Sequence, residues 1–359
     1  MLFNFIHYGL KRCLSISRNA DNLVTLAEIQ RKKTLHEIYF SAFTNLNPAE
    51  RSALALSGNV WWNYSKIQDR NVILSTQTIN SLSRIDTSSA TLIHYNPLVD
   101  SNSPAWIAFR LAMTHHSTAM EGNKLSFGDT AKIIDEFGDG ISRCIGITEP
   151  SAIDPILLHG LDAHDVVEVV NHAAAMEFIK KYLFGKPITV SAIQELFNIL
   201  MPPSSADIVT GMGVFSLHHK NFRQIPVKVR GSPTVRPYAH EIPALLGKIL
   251  DVHYNKHMHE YHPVVADILL MMNFLFVHPF PDGNGRISRL LLQTSLHNHG
   301  MLGYVLPVNE KQEFFSHFTP YFESNDVDGV VAYLVRHISH FHNSLLLCEK
   351  NGVVPDFVS

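Results

Sequence analysis

The chain has 359 residues, 46% of them hydrophobic and 17% charged, and a formal net charge of −3 from 29 Lys+Arg against 32 Asp+Glu. That length suits one large domain with a smaller one, or two ordinary domains, and the composition excludes a disordered chain. It offers no global basic excess, so nucleic acid is not an expected partner. Cys13, Cys144 and Cys348 are dispersed, with no CxxC pair; they exclude a disulfide framework and fit a reducing, cytoplasmic compartment. No apolar run approaches the roughly 18–20 residues of a membrane-spanning helix, so no transmembrane anchor is expected.

Residues 1–20 hold Lys11, Arg12 and Arg18 and no acid before Asp21. They read either as a mitochondrial presequence or as an ordinary amphipathic first helix. Residues 44–103, which include Trp61-Trp62, carry mixed signals and receive no role; the tryptophans read as core or as an interdomain contact. A boundary is expected near residues 100–103. It divides the chain into an N-terminal region (1–103), a helical domain (104–345) and a C-terminal tail (346–359).

Helical signals dominate from there. Ser103-Pro104 is an N-cap followed by proline at the first helical position, opening a helix to about Ala119. Ser126 and Asp129 form a capping-box pattern before Ala131–Phe137. Asp162–Tyr182 carries Val166, Val169, Val170, Ala173, Ala174 and Phe178 at helical spacing. Val190–Met201 is a further helix, stopped by Pro202-Pro203. Pro237–Tyr254 reads as helix with Ile242, Leu245, Leu246, Ile249 and Leu250 inward. His262-Pro263 opens Val264–Val277, apolar nearly all round and therefore central and buried. The one extended stretch is Phe222–Arg230, where Ile225, Val227 and Val229 alternate with polar residues. Pro226 demotes it to an edge or hairpin arm. His257, His259 and His262, with His253 nearby, read as a solvated loop rather than a zinc site, since no further ligand is evident.

The most informative stretch is residues 278–289, His-Pro-Phe-Pro-Asp-Gly-Asn-Gly-Arg-Ile-Ser-Arg. Pro279 disfavours helical geometry at His278, so the buried helix ends there and holds His278 at its rim, a suitable place for a base. Gly283 and Gly285 permit a tight turn and a close backbone approach to a ligand. The next helix starts near Gly285, and its free N–H groups and positive dipole end favour an anion. Arg286 and Arg289, at i and i+3, share one face of its first turns, and two guanidiniums there suit more than one phosphate. Asp282 beside an anion site makes sense as a ligand of Mg²⁺ bridging the phosphates. The pattern is neither a Walker A loop nor the dinucleotide-binding glycine pattern.

With its residues laid out, this stretch resembles the complete signature of the Fic family, HxFx[DE]GNGRxxR. The resemblance implies an all-α, mainly helical fold, a bundle with a short β-hairpin flap. It also implies transfer of AMP from ATP to a Ser, Thr or Tyr hydroxyl of a target protein. His278 would be the catalytic base, Asp282 the Mg²⁺ ligand and Phe280 the loop's anchor. Gly283, Asn284 and Gly285 would hold the inner phosphates, and Arg286 and Arg289 the outer ones. Ser117-Thr118-Ala119-Met120-Glu121-Gly122-Asn123 resembles the family's inhibitory helix, expected over 104–122. Glu121 would then pair with Arg289 and keep the γ-phosphate from docking. Phe222, Arg223, Val227 and Val229 resemble the flap that holds the target segment by strand addition, although the extra length around Gly211–Lys220 departs from compact members. Phe197 stands where the family often has histidine. The resemblance covers roughly residues 104–340. Two alternatives stay open: a de-AMPylating hydrolase using the same site, and a non-catalytic nucleotide-binding module. A homodimer is compatible with the resemblance.

Overall fold

The computed structural model describes residues 36–95, 103–137, 160–201, 207–210, 213–216, 222–224, 227 and 234–351. The segment 1–20 with its presequence reading lies outside them, as do Cys13, Cys144, Val229 and the Pro202-Pro203 stop.

The fold is helical. The N-terminal part contributes α1 (Pro48–Leu56), α2 (Asn59–Ser65) and α3 (Thr76–Tyr95). Then come α4 (Pro104–Glu121), α5 (Phe127–Phe137), α6 (Ala163–Phe178) and α7 (Val190–Leu200). After a two-stranded hairpin the chain forms α8 (Ile242–Val252), α9 (Pro263–Val277) and α10 (Asn284–Asn298). It closes with α11 (Lys311–Ser316), α12 (Phe318–Ser324) and α13 (Val327–Asn351). No helix among the described residues is long and apolar enough to cross a membrane.

The start signals act as the sequence predicts. The Ser103 side chain accepts the Trp106 N–H at 3.1 Å. Ser126 and Asp129 bond reciprocally at 3.1 Å and start α5 at Phe127, and Asp162 caps α6. Helix α8 starts at Ile242, later than Pro237, because Tyr238 is extended and leads into a 3-10 turn, Ala239–Glu241.

Helix α9 is the axis of the core, with every residue from Val264 to Val277 buried. It packs against α10 and α8, and α3 lies along α13. The core runs without a break from Trp61 and Leu82 into α9 and α10, and α13 continues through 345 to Asn351. Trp61 is fully buried, edge-on to Phe276 with centroids 4.8 Å apart, so this part of the N-terminal region shares the core.

Two expectations need correction. The strand pair is β1 (Asp207–Thr210) with β2 (Gly213–Ser216), antiparallel, Asp207 opposite Ser216. The described residues of 222–230 (Phe222, Arg223, Gln224 and Val227) are irregular, and the backbone N–H of Arg223 bonds the Pro279 carbonyl at 2.9 Å instead of a partner strand. The histidine segment is not a solvated loop either. His253 and His257 are buried in a π-helical turn, and His262 caps α9 by accepting the Val264 N–H at 3.2 Å.

Candidate active site

The loop between α9 and α10 is fixed from both ends. His278 adopts left-handed geometry (φ 51°) and caps α9, its N–H bonding the Phe274 carbonyl at 3.0 Å. A non-glycine residue there stores strain; Pro279 bars the right-handed helical alternative, and the bond from the His278 N–H to the Phe274 carbonyl holds the turn. Phe280 is fully buried, stacked on Phe197 at 4.1 Å and tilted against Phe222 at 5.5 Å. Burial of a ring this size stabilises the loop by about 1.5–3 kcal/mol. The phenylalanine in place of the family's histidine at 197 thus forms the floor under the loop. Asn284 closes the turn on itself: its Oδ1 accepts the Phe280 N–H at 3.0 Å and its Nδ2 donates to the Phe280 carbonyl at 2.8 Å. Both polar atoms of the Asn284 side chain are thus spent on the loop backbone, which leaves its main-chain N–H to face a ligand.

Two buried arginines finish α9. Arg236 Nη1 donates to the carbonyls of Leu275 (3.1 Å) and Phe276 (2.9 Å). Arg223 Nε donates to His278 O at 2.8 Å, and its Nη2 to Pro237 O at 2.7 Å. Cations suit a helix C-terminus, where the last carbonyls lack partners. Burial lowers the Arg223 pKa to about 10 and, with Arg223 nearby, the Arg236 pKa to about 9. His278 feels both. Burial first, then Arg236 and Arg223, push its pKa down to about 3, against a backbone bond at Leu275. Its imidazole is therefore neutral near pH 7, the form that takes up a proton.

Helix α10 begins after Gly283 (φ 75°), which has no side chain to cap the first turn. A Cβ on Gly283 would press on Met201. A Cβ on Gly285 would collide with the Glu121 carboxylate and crowd Arg289. Only glycine lets that carboxylate lie against the helix N-terminus, which is where an anion is favoured.

Glu121 ends α4, and Gly122 (φ 114°) terminates the helix. Its Oε1 accepts from Arg289 Nη2 at 2.7 Å. Ser117, one turn earlier, takes the rest of the guanidinium: Arg289 Nε donates to Ser117 Oγ at 2.9 Å and Nη2 to Ser117 O at 2.8 Å. Burial raises the Glu121 pKa. Attraction and hydrogen bonding from Arg289, joined by Arg286 and Lys311, outweigh that and lower it overall. The carboxylate is thus charged at neutral pH.

Arg286 meets a residue that the sequence reading did not single out. Its Nη1 donates to Glu168 Oε1 in a very short ion pair, and its Nη2 faces Met201 Sδ at 3.2 Å and Asp282 Oδ2 at 3.6 Å. Asn123 Nδ2 holds Glu168 Oε2 at 2.8 Å, joining this pair to the end of α4. Burial raises the Glu168 pKa, Arg286 and Asn123 draw it down, and the net shift is upward. The signal was a single charge inside Val166-Val167-Glu168-Val169-Val170, a run otherwise committed to the core. Asp282 projects outward, 71% exposed, with Oδ1 accepting the Gly283 N–H at 2.6 Å.

The structure thus brings together His278, Asp282, Gly283, Gly285, Arg286, Arg289, Ser117 and Glu121 around one helix N-terminus. Of the flap residues, Phe222 packs on Phe280 and Arg223 is buried beneath His278. Val227 is half-buried.

Residues 187–296 match the model of the Fic/DOC family. The chain is 25% identical over 309 residues to the Protein adenylyltransferase Fic of Drosophila willistoni, covering 85% of this chain and 53% of that protein. It is 26% identical over 310 residues to the Drosophila erecta protein of the same name, covering 85% and 54%. The chain therefore spans about half the length of the curated relatives it matches. Among solved structures, a Fic family protein from Desulfovibrio desulfuricans G20 superposes with a TM-score of 0.57 at 16% identity, covering 78% of this chain and 77% of that one. Fic-1 from C. elegans gives 0.54 at 18% identity, covering 96% and 92%. Both share the fold. Ser117, Glu121 and Glu168 lie before the matched segment. By motif, matched segment and fold, residues 187–296 belong to the Fic/DOC family.

Proposed function

We propose that this protein transfers AMP from ATP to a hydroxyl of a target protein and that Glu121 holds the activity down. The observation that carries the proposal is the convergence at the start of α10. A neutral histidine, an uncapped helix N-terminus and two arginines meet there, and a charged carboxylate is seated on the outer arginine.

In the forward reaction a Ser, Thr or Tyr hydroxyl oxygen of the target attacks the α-phosphorus. Its proton passes to the His278 imidazole as the new O–P bond forms and pyrophosphate departs. Arg286 and Arg289 neutralise charge on the outer phosphates, and the backbone at Gly283 and Gly285 lets the inner ones approach. Chemistry of this kind needs positioning and charge neutralisation above all. Asp282, an exposed carboxylate beside the arginines, fits as the protein ligand of a Mg²⁺ ion, which takes hard oxygen donors and keeps most of its waters. When bound, that ion neutralises phosphate charge. Glu121 competes with the γ-phosphate for Arg289, so ATP docks unproductively while the pair is intact.

One observation favours a second reaction at the same site. Arg289 engages only Oε1 of Glu121, whose side chain is 29% exposed, so Oε2 is placed to orient water for removal of AMP from a modified target.

The discriminating experiment uses Glu121→Gly with ATP labelled at the α or the γ phosphorus. Transfer of α label onto protein is expected. Transfer of γ label would make the protein a kinase, and no transfer would leave a nucleotide-binding module. Release of AMP from a modified target by the wild type, lost in Glu121→Gly, would establish the hydrolase.

A further inference from the structure

At the end of the α9–α10 hairpin remote from the loop, three side chains of metal-ligand type converge. His253 opens the π-helical turn after α8, Asp267 lies in the first turns of α9, and His299 follows α10 as its C-cap. One ligand atom from each lies within 4.8 Å of the others. His253 Nε2 is 3.7 Å from Asp267 Oδ1, and His299 Nδ1 is 3.0 Å from the same carboxylate. A tetrahedral Zn²⁺ with bonds of about 2.0–2.2 Å sets its ligand atoms about 3.3 Å apart. Small side-chain adjustments reach that geometry. His253 and Asp267 are fully buried, and the His299 side chain is 19% exposed.

Hydrogen bonding alone accounts for only part of this arrangement. Asp267 accepts from Ser295 Oγ at 2.5 Å and from His299. The His253 ring also has a backbone bond at Ala266, but its Nε2 stands 3.4 Å from Ser295 Oγ and 3.7 Å from the carboxylate, both long for a bond between such groups, and its Nδ1 is buried without a hydrogen-bond partner. A buried carboxylate is ordinarily matched by a Lys or Arg or by a metal; here its neighbours are two imidazoles and a hydroxyl. None of the four residues takes part in the chemistry at the loop.

We propose that His253, Asp267 and His299 bind one transition-metal ion of the Zn²⁺ class, with the Ser295 hydroxyl or a water as fourth ligand. Two imidazole nitrogens with one carboxylate favour Zn²⁺ over Mg²⁺ or Ca²⁺, which select all-oxygen sites. Binding needs no redox step. His299 presents Nδ1 unprotonated as its neutral Nε2–H tautomer, and the Ser295 hydroxyl proton turns away from the carboxylate. The ion would staple the turn after α8 to both α9 and α10. These two helices carry His278 and the arginines at their other ends.

The test uses the whole chain, stripped with a chelator, desalted and titrated with Zn²⁺. Retained metal is read by elemental mass spectrometry and the melting temperature by calorimetry; Co²⁺ in place of Zn²⁺ reports geometry through its visible bands. The expected result is one equivalent that survives desalting, a raised melting temperature and a tetrahedral Co²⁺ spectrum. That equivalent should be lost in His299→Ala, which removes a partly exposed ring without opening the core, and in the near-isosteric Asp267→Asn. Because other histidines bind metal weakly, the decisive quantity is the difference between wild type and variants. A wild type that retains no zinc and melts unchanged would overturn the proposal. So would folded His299→Ala binding the same equivalent as wild type.

Discussion

Replacing Arg236 by Met removes two charge-assisted bonds, to the Leu275 and Phe276 carbonyls at 3.1 and 2.9 Å, from the last turn of α9. Hydrogen bonds from charged donors contribute about 1.5–3 kcal/mol each, and carbonyls left buried without partners add to the loss. The expected destabilisation is about 3–5 kcal/mol, which for a protein of this size lowers the melting temperature by roughly 4–7 °C. The substitution also deletes the larger of the two cationic influences on His278, whose pKa is pushed down to about 3. The imidazole should then titrate higher, moving toward the ordinary value near 6.5. Calorimetry gives the first quantity and NMR titration of the His278 ring protons the second. Arg236→Lys separates the two effects, because it keeps the charge and loses the fork: it should melt early yet leave His278 depressed. If Arg236→Met melted within about 1 °C of wild type and left the His278 titration unmoved, the argument that buried arginines cap α9 and keep the base neutral would fail.

Three further outcomes follow from the same geometry. Glu168→Gln should weaken Mg-ATP binding about tenfold in a Glu121→Gly background, because Arg286 loses the carboxylate that aims it; calorimetric titration showing equal or tighter binding would contradict this positioning role. Gly285→Ala should destabilise the wild type by about 1–3 kcal/mol, because its Cβ displaces the Glu121 carboxylate. The cost should vanish in Glu121→Gly, and equal costs in both backgrounds would refute the contact. Stability should also fall in acid. Burial pushes His257 and His342 down to about 4 in the folded state, while the unfolded chain takes up protons from about pH 6.5. Their contribution is therefore complete above pH 6.5 and is lost as pH falls toward 4, reaching about 2 kcal/mol for each group at pH 5. Urea melts that agree at pH 7 and pH 5 would rule this out.

Much of the site was legible because its signals are local. His278-Pro279 fixes the end of α9, Ser103-Pro104 the start of α4, and Gly283 the start of α10, each within a few residues. The placement of Glu121 on Arg289 came from the motif of α4, not from spacing, since the two lie 168 positions apart. What stayed hidden depends on distant contacts. Glu168 looks like a misplaced charge until Arg286, 118 positions on, folds against it. Arg223 reads as a strand residue, yet its side chain is consumed by the carbonyls at the end of α9. The alternation at 222–230 did not foretell that the described Arg223 backbone bonds the loop itself. Trp61 gave no clue to its packing on Phe276, and the histidine run hid the buried His253 ring, whose neighbours Asp267, Ser295 and His299 lie on other elements.

The central claim is that one loop transfers AMP with His278 as base while Glu121 withholds Arg289. Intact-mass measurement of AMP incorporation with Mg-ATP tests it in wild type, Glu121→Gly and Glu121→Gly/His278→Ala. Losing one charge-assisted bond of about 1.5–3 kcal/mol should speed labelling roughly ten- to hundredfold in Glu121→Gly. Labelling should be absent in the double variant. Equal labelling of wild type and Glu121→Gly, or labelling that survives the loss of His278, would contradict the account.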